Sequence, residues 1–216
     1  MATRKNPLIT GEIYHVYNRS VMAAPIFDGK KEVNFFLAAL TYYLYEDPPV
    51  KFSLYRMKPE AFSHSLEKKF CTLMAYCIMP THFHLLLQQE SDGGIQILLR
   101  KTSSSFAHYF GIKHEMHGHI FEGNFKAVHI ENNEQLLHVS RYIHLNPVTA
   151  YMVENPQVYS HSSYRNYIDK TQSGLPVEPK LVLEQFRSRK GYERFVLDQK
   201  QYQRDLEKIK YLMLDD

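Results

Sequence analysis

Hydrophobic and polar positions along the chain alternate between strand-like and helix-like periods. Apolar and aromatic residues at every second position over residues 12–19 predict a first strand. Two nearly continuous apolar runs, residues 71–79 and 82–89, are joined by a Pro-Thr turn and predict a hairpin of buried strands. Residues 119–130 predict a fourth strand with a bend at its Glu-Gly-Asn sequence.

Three other stretches repeat apolar residues at helical spacing. Residues 30–47 predict a helix that ends at an Asp-Pro-Pro sequence. Residues 95–111 predict a second helix, with the final glycine in the C-cap position. The third helix is predicted from Asn133 to Asn146, because Asn132 and the glutamine three residues later resemble a capping box and Pro147 should stop the helix.

The order of these elements defines the expected fold class. Strand, helix, strand, strand, helix, strand and helix form a split βαβ pattern with one extra helix, which is typical of an α+β protein whose antiparallel sheet carries helices on one face. Residues 50–70 are polar and interrupted by proline, and we expect an irregular connection there. The composition shifts near residue 170. We therefore expect one main domain over residues 1–170, followed at 171–216 by a linker and a charged helical C-terminal tail that contributes DNA contacts or dimer packing.

Composition excludes some classes and leaves others open. Hydrophobic residues at 44% and charged residues at 23% of the 216 positions indicate a folded globular protein. The formal charge of +3 permits binding of a polyanion without demanding it. No apolar stretch approaches the roughly 20 residues of a membrane span, so we expect no membrane association and a cytoplasmic location. Cys71 and Cys77 would lie about 20 Å apart on one strand, so two buried thiols are expected rather than a disulfide.

The predicted hairpin contains two histidines separated by one residue. On a strand, residues i and i+2 point to the same face, so His82 and His84 should lie side by side while Phe83 points to the opposite face. Two imidazoles placed in this way can bind one metal ion. Alternatively, they are hydrogen-bonded polar residues on the solvent face of a strand, and the pair alone does not decide between these interpretations.

The third predicted helix supplies two more candidate residues. Tyr142 and Asn146 are four positions apart and therefore lie on one face, one turn from each other. The amide oxygen of Asn146 could complete a three-ligand set and leave positions open for a substrate oxygen. A phenol needs a base or a positive charge to become a good nucleophile, and a cation would supply one. With sixteen tyrosines in the chain, a core aromatic is an equally open interpretation of Tyr142.

The combination of these motifs resembles a known family. The sequence "YCIMPTHFHLLL", followed some sixty residues later by "RYIHLNPV", is similar to the single-tyrosine HUH transposases, in particular to the branch of REP-associated tyrosine transposases. The opening "GEIYHVYNRS", the segment "GHIFEGNFK" and the closing "SSYRNY" also resemble that branch. The resemblance extends over roughly residues 8–168.

The resemblance implies a fold, a chemistry and a set of residues. It implies a ferredoxin-like sheet with His82 and His84 as metal ligands on a central strand, Asn146 as the third ligand, and Tyr142 as the nucleophile on a facing helix. The implied reaction is metal-assisted transesterification of single-stranded DNA next to palindromic hairpins, through a 5′-phosphotyrosine intermediate. Imidazole ligands favour Mn, Zn, Co or Ni over Mg, whereas the hard phosphate oxygen and cellular abundance favour Mg, so we expect Mg²⁺ or Mn²⁺ as the divalent cofactor.

Single-stranded DNA would be held by its phosphate backbone, so basic residues near the motifs are candidate contacts. A solvated surface position is the ordinary alternative for each of them, and a homodimer is one possible assembly. The candidates are Arg100, Lys101, Lys126 and Arg141.

Two other function classes compete with a transposase. One is a non-catalytic protein that binds DNA hairpins without cutting them. The other is a metal-dependent hydrolase that activates water, which would need a carboxylate base near the histidines. The nearest carboxylates in sequence, Glu90 and Asp92, lie beyond the end of the predicted strand.

Overall fold

The computed structural model describes residues 7–63, 66–169 and 175–200. Within these ranges the chain forms four strands and seven helices, together with short 3₁₀ turns. The strands are β1 (Ile13–Arg19), β2 (Cys71–Met79), β3 (His82–Gln89) and β4 (Lys126–His129). The helices are α1 (Lys30–Tyr43), α2 (Phe52–Met57), α3 (Gly94–His114), α4 (Asn133–Thr149), α5 (Tyr164–Ile168), α6 (Lys180–Leu183) and α7 (Arg189–Leu197).

The four strands form one sheet with the order β2-β3-β1-β4, and every neighbouring pair is antiparallel. With helices α1 and α3 as the two connections that cross the sheet, this is the ferredoxin-like arrangement. The predicted α+β class is confirmed. Strand β3, which carries the histidine pair, lies between β2 and β1 in the interior of the sheet.

One face of the sheet is covered by α1 and α3. Phe83, Leu85 and Leu87 of β3 belong to the apolar core on this side. The ring of Phe83 packs against Phe36 of α1, with 5.0 Å between ring centroids, and Phe36 in turn packs against Phe106 of α3 at 5.6 Å. These contacts bury β3 against both helices. Because side chains alternate along a strand, His84, which lies between Phe83 and Leu85, points to the opposite face.

The opposite face is covered as well, so the expectation of helices on one face only is wrong. Cys77, Met79 and Leu86 point to this side and form a second core with residues of α4, α5 and α7. Both sides of β2 and β3 are therefore apolar, and exposing either would leave a large hydrophobic surface in water. The extra helix α4 removes much of that surface from water.

Helix α4 begins as predicted and ends later than predicted. The side chain of Asn132 accepts a hydrogen bond from the backbone N–H of Gln135 at 2.9 Å, as an N-cap should. Pro147 lies inside the helix, which continues to Thr149. A proline this close to the C-terminal end removes a single backbone donor, and the chain turns only at Tyr151, where φ is +55°.

Other boundaries also differ from the sequence expectation. Helix α1 ends at Tyr43 and does not continue to residue 47. Helix α3 continues past Gly111 to His114, and Glu115 takes the left-handed C-cap conformation instead. Strand β4 contains only Lys126–His129; the preceding residues form bends, with one isolated bridge between Ser20 and Phe121. Residues expected to be irregular contain helix α2. At these positions tertiary packing, rather than the local sequence pattern, determines where the helix or strand begins and ends.

The C-terminal segment packs into the second core. The side chain of Tyr192 in α7 is fully buried, and its hydroxyl lies 2.6 Å from Nδ1 of His144 in α4. The other ring nitrogen of His144 lies 2.9 Å from Oγ of Ser163. The domain boundary near residue 170 stays a prediction, and residues 170–174 and 201–216 of the predicted linker and tail lie outside the described residues.

Two further expectations concern thiols and membranes. Both cysteines are free and buried, as predicted, and burial raises the pKa of each thiol above its ordinary value. Among the described helices, none is both long and apolar enough to cross a membrane.

Candidate active site between the central strand and helix α4

The two histidines lie on the face of the sheet that α4 covers. His82 and His84 begin β3, and their ring centroids are 5.0 Å apart with nearly perpendicular planes. Phe83 between them is fully buried on the other face. Because the side chain of Leu86, two residues further along, packs with α4, the same alternation places both imidazoles beneath this helix.

Helix α4 brings the tyrosine and the asparagine to these histidines. The ring of Tyr142 meets the ring of His84 edge-on, with 5.3 Å between centroids. One turn later, Oδ1 of Asn146 lies 3.4 Å from Nε2 of His82. All four residues predicted at the centre of the site, His82, His84, Tyr142 and Asn146, are therefore neighbours within a single chain.

The ring nitrogens of both histidines have defined surroundings. Nδ1 of His82 lies 2.9 Å from the hydroxyl of Thr81, and Nδ1 of His84 lies 3.0 Å from Nε2 of His15. With Nδ1 engaged in each ring, Nε2 is the nitrogen placed to bind a cation. Of these, Nε2 of His82 faces the amide oxygen of Asn146.

This arrangement fits a divalent cation. Two ligand atoms about 2.1 Å from one metal ion lie about 3.0 Å apart at a right angle and about 3.4 Å apart at a tetrahedral angle. The separation of 3.4 Å between Nε2 of His82 and Oδ1 of Asn146 is within that range. When the Thr81 hydroxyl accepts from Nδ1–H of His82, both of these atoms present lone pairs to each other, and a shared cation would relieve their repulsion.

A metal site with three protein ligands would need the side-chain amide of Asn146 in addition to the two histidines. Among the residues that the structure describes, no group of three or more histidine, cysteine, aspartate or glutamate side chains is arranged to hold a metal ion. Two imidazoles and one amide oxygen would leave coordination positions for substrate oxygens, which is the pattern of a catalytic rather than a structural metal site.

Burial favours the neutral form of His84 and of its neighbour His15. The pKa of His84 is well below its ordinary value, chiefly because the ring is buried, and also because His82, His15 and Arg19 lie nearby. Burial lowers the pKa of His15 to about 4. A metal binds the neutral form of imidazole, so His84 does not have to release a proton before a cation can bind.

Strand β1 contributes side chains that the sequence interpretation missed. In the antiparallel register Tyr17 lies opposite His84, and Arg19 lies opposite His82. His15, two residues before Tyr17, stacks on His84 with 5.1 Å between ring centroids. The signal was present in the sequence, because these three residues alternate with the buried Tyr14, Val16 and Asn18 along β1. Their meaning depends on the pairing with β3, which the sequence pattern does not specify.

The predicted DNA-binding residues divide into three locations. Lys126 pairs with Tyr17 in the sheet, so its side chain is on the same face as the histidines. Arg141 is buried: its guanidinium stacks on the ring of Phe195 at 4.4 Å, and Nη2 lies 3.0 Å from Nδ1 of His138. Arg141 thus packs between α4 and α7, and its predicted DNA contact stays a prediction.

Arg100 and Lys101 lie on the other side of the sheet. They line an open groove of about 1310 Å³ between α1, α2 and α3. The groove contains five cationic side chains and no carboxylate among its lining residues. The cations are Lys51, Arg56, Arg100, Lys101 and Lys113. Of these, Lys113 is paired with the carboxylate of Glu32.

The sheet order, the histidine pair and the facing tyrosine helix form the arrangement that the resemblance implies for the HUH class. Comparison with known proteins supports the family. Residues 54–146 match the family model described as "Transposase IS200 like", a segment that includes all four residues at the centre of the site. This match supports the family inferred from the motifs, and the matched segment of the chain is similar to the IS200-like transposases. No curated protein sequence matches the chain.

A solved structure of a REP-associated tyrosine transposase bound to a REP hairpin is similar to this chain. The TM-score is 0.55 at 16% sequence identity, and the alignment covers 82% of this chain and 98% of that one. At this identity the likeness concerns the fold. It extends well beyond the segment that the family model matches.

Proposed function

We propose that this chain is a metal-dependent transposase that cleaves and rejoins single-stranded DNA through a covalent bond to Tyr142. The observation that carries the proposal is the convergence, within one chain, of Tyr142, two histidine rings and the amide of Asn146. This polar environment supports a chemical role for Tyr142, since a core aromatic would need only apolar neighbours.

In the proposed reaction, His82, His84 and Asn146 would hold a divalent cation, Mg²⁺ or Mn²⁺, which would polarise the scissile phosphate and stabilise its developing charge. The hydroxyl oxygen of Tyr142 attacks phosphorus, its proton passes to solvent, and the bond from phosphorus to the 3′ oxygen breaks. The products are a 5′-phosphotyrosine and a free 3′-OH.

Rejoining is the reverse of this step. Another 3′-OH attacks the phosphotyrosine, forms a new phosphodiester bond and releases the phenol of Tyr142. The energy of the phosphodiester is conserved in the intermediate, so the reaction needs no nucleotide cofactor.

We further propose that hairpin DNA is the partner. The structurally similar transposase was solved with a REP hairpin. Near the site, the exposed Arg19 lies opposite His82 in the sheet and Lys126 lies one strand further along. These two cations would hold phosphates of the strand being cleaved. The groove that Arg100 and Lys101 line would bind a more distant part of the DNA backbone, because it is basic and contains no carboxylate among its lining residues.

The direct test is cleavage of labelled single-stranded DNA that carries a palindromic hairpin. The wild-type chain should form a covalent protein–DNA adduct with Mg²⁺ or Mn²⁺ and none with EDTA. Tyr142→Phe should form no adduct and should still bind the hairpin. Hairpin binding without any adduct would favour a non-catalytic binding protein, and cutting that survives Tyr142→Phe would mean that water is the nucleophile.

A second experiment tests whether the tyrosine acts in its own chain. Because Tyr142 meets the His84 ring of the same chain, we expect cleavage in cis. Mixing Tyr142→Phe with His82→Ala should then restore no adduct, since each chain lacks one essential residue. Recovery of activity in the mixture would show that the tyrosine is donated between subunits and that the chain works as a dimer.

A further inference from the structure

The further inference concerns His15, which none of the motifs assigns. His15 lies on β1 next to the histidine pair, and its Nε2 is 3.0 Å from Nδ1 of His84. The two rings stack at 5.1 Å with 26° between their planes. The same ring of His15 also meets the ring of Tyr142 edge-on at 5.9 Å. One side chain therefore contacts both a candidate ligand and the candidate nucleophile.

This contact determines which nitrogen of His84 can bind a metal ion. If Nδ1–H of His84 donates to the lone pair on Nε2 of His15, then Nε2 of His84 carries its own lone pair and can act as a ligand. In the reverse arrangement His15 donates, and the proton of neutral His84 must reside on Nε2, where it prevents coordination. Only the first arrangement is compatible with the proposed cation site.

We infer that His15 is a positioning residue, which accepts the Nδ1–H of His84 and thereby fixes both the tautomer and the ring plane that present Nε2 to the cation. The inference rests on the proposed function for the role of His84. A hydrogen bond from the distal nitrogen of a ligating histidine to a second group is the usual way in which proteins orient such ligands.

His15 is not a third imidazole ligand in this geometry. Its Nε2 is engaged with Nδ1 of His84, whereas the amide oxygen of Asn146 lies next to Nε2 of His82. Thr81 has the equivalent position for the other histidine, since its hydroxyl lies 2.9 Å from Nδ1 of His82. Each of the two candidate histidine ligands thus has its own neighbouring side chain at Nδ1.

The test measures Mn²⁺ binding to the full chain by titration calorimetry, without DNA. His15→Leu should weaken Mn²⁺ affinity by about 10–100-fold, the usual cost of losing such a partner. His15→Gln should stay within about threefold of wild type, because an amide oxygen can replace the lost acceptor. The control is His129→Leu, which removes an exposed histidine bonded to Glu12 and should leave Mn²⁺ affinity unchanged.

A second readout separates positioning from packing. In the metal-free chain, nitrogen NMR of labelled histidine should show His84 protonated at Nδ1 in the wild type and in His15→Gln, and mixed tautomers in His15→Leu. A purely structural role would change thermal stability without changing this tautomer. Metal-free hairpin binding should be the same in all variants.

Several outcomes would overturn the inference. Mn²⁺ affinity of His15→Leu within twofold of wild type would show that the contact is irrelevant, and so would a His15→Gln variant as weak as His15→Leu. If His84→Ala abolishes Mn²⁺ binding while His15→Leu does not, the inference fails and the proposed function stands. If the wild-type chain binds no Mn²⁺, both fail together.

Discussion

The packing of α7 against the tyrosine helix leads to a quantitative prediction about Tyr192. This side chain is fully buried beneath α4. Its hydroxyl lies 2.6 Å from Nδ1 of His144 and donates to Oγ of Ser140 at 3.3 Å. Tyr192→Phe keeps the ring and removes only the hydroxyl, so it tests the hydrogen bonds without creating a large cavity.

The expected cost follows from what remains after the substitution. Nδ1 of His144 would be buried without this partner, while its other nitrogen keeps Ser163. A buried polar group that loses its partner costs about 1–3 kcal/mol. Removing the ring as well, in Tyr192→Ala, should cost about 3–5 kcal/mol, as for other large core aromatics.

The measurement is the free energy of unfolding from urea denaturation, followed by circular dichroism. For a chain of this size each kcal/mol should also lower Tm by about 2–4 °C. The matched control is Arg194→Gln, which changes an exposed residue of the same helix and should alter stability by less than about 0.5 kcal/mol. A Tyr192→Phe chain as stable as wild type would refute the reasoning, and with it the docking of α7 on α4.

Further predictions concern glycines and thiols. Gly94→Ala should destabilise the fold by more than about 1 kcal/mol, because a Cβ there would lie 2.3 Å from the backbone oxygen of Phe70. In helix α7, a Cβ at Gly191 would make only ordinary van der Waals contacts, so Gly191→Ala should be neutral or stabilising by up to about 1 kcal/mol. Equal urea midpoints for the two variants would contradict this. Cys71 and Cys77 should react with a thiol reagent only after denaturation, since both are buried with raised pKa values; rapid labelling of the native chain would contradict their burial.

The sequence predicted those parts of the fold whose local pattern and packing agree. The central hairpin, α1 and the start of α4 have apolar periods or caps that match their final environment. The end of α4 was predicted too early, because Pro147 is a strong local stop signal and the buried Val148 continues the apolar face that α4 presents to the sheet. Periodicity alone predicted helices on one face, since it does not reveal which side of a sheet a helix covers; a helix facing the histidines was implied only by the family resemblance.

The site was predictable in its centre and not in its surroundings. His82 and His84 share a face through strand periodicity alone, and Tyr142 and Asn146 share one through helical spacing. That these two faces meet follows from the fold. The neighbours from β1, such as His15, depend on strand register, which a single sequence does not specify.

Arg141 illustrates the limit for charged residues. Its position beside Tyr142 suggested a phosphate contact, but adjacent residues of a helix point in directions about 100° apart. In the structure, the guanidinium of Arg141 stacks on the ring of Phe195. By contrast, Lys126 could be placed on the face of the histidines only once its pairing with Tyr17 was known.

The measurement that tests the central claim most directly is identification of the residue linked to DNA. The adduct formed with Mn²⁺ and hairpin-bearing single-stranded DNA is digested with nuclease and protease, and its peptides are sequenced by mass spectrometry. We predict a nucleotide phosphate on Tyr142, out of sixteen tyrosines in the chain. A phosphate on any other residue, or cleaved DNA without a covalent protein adduct, would contradict the account.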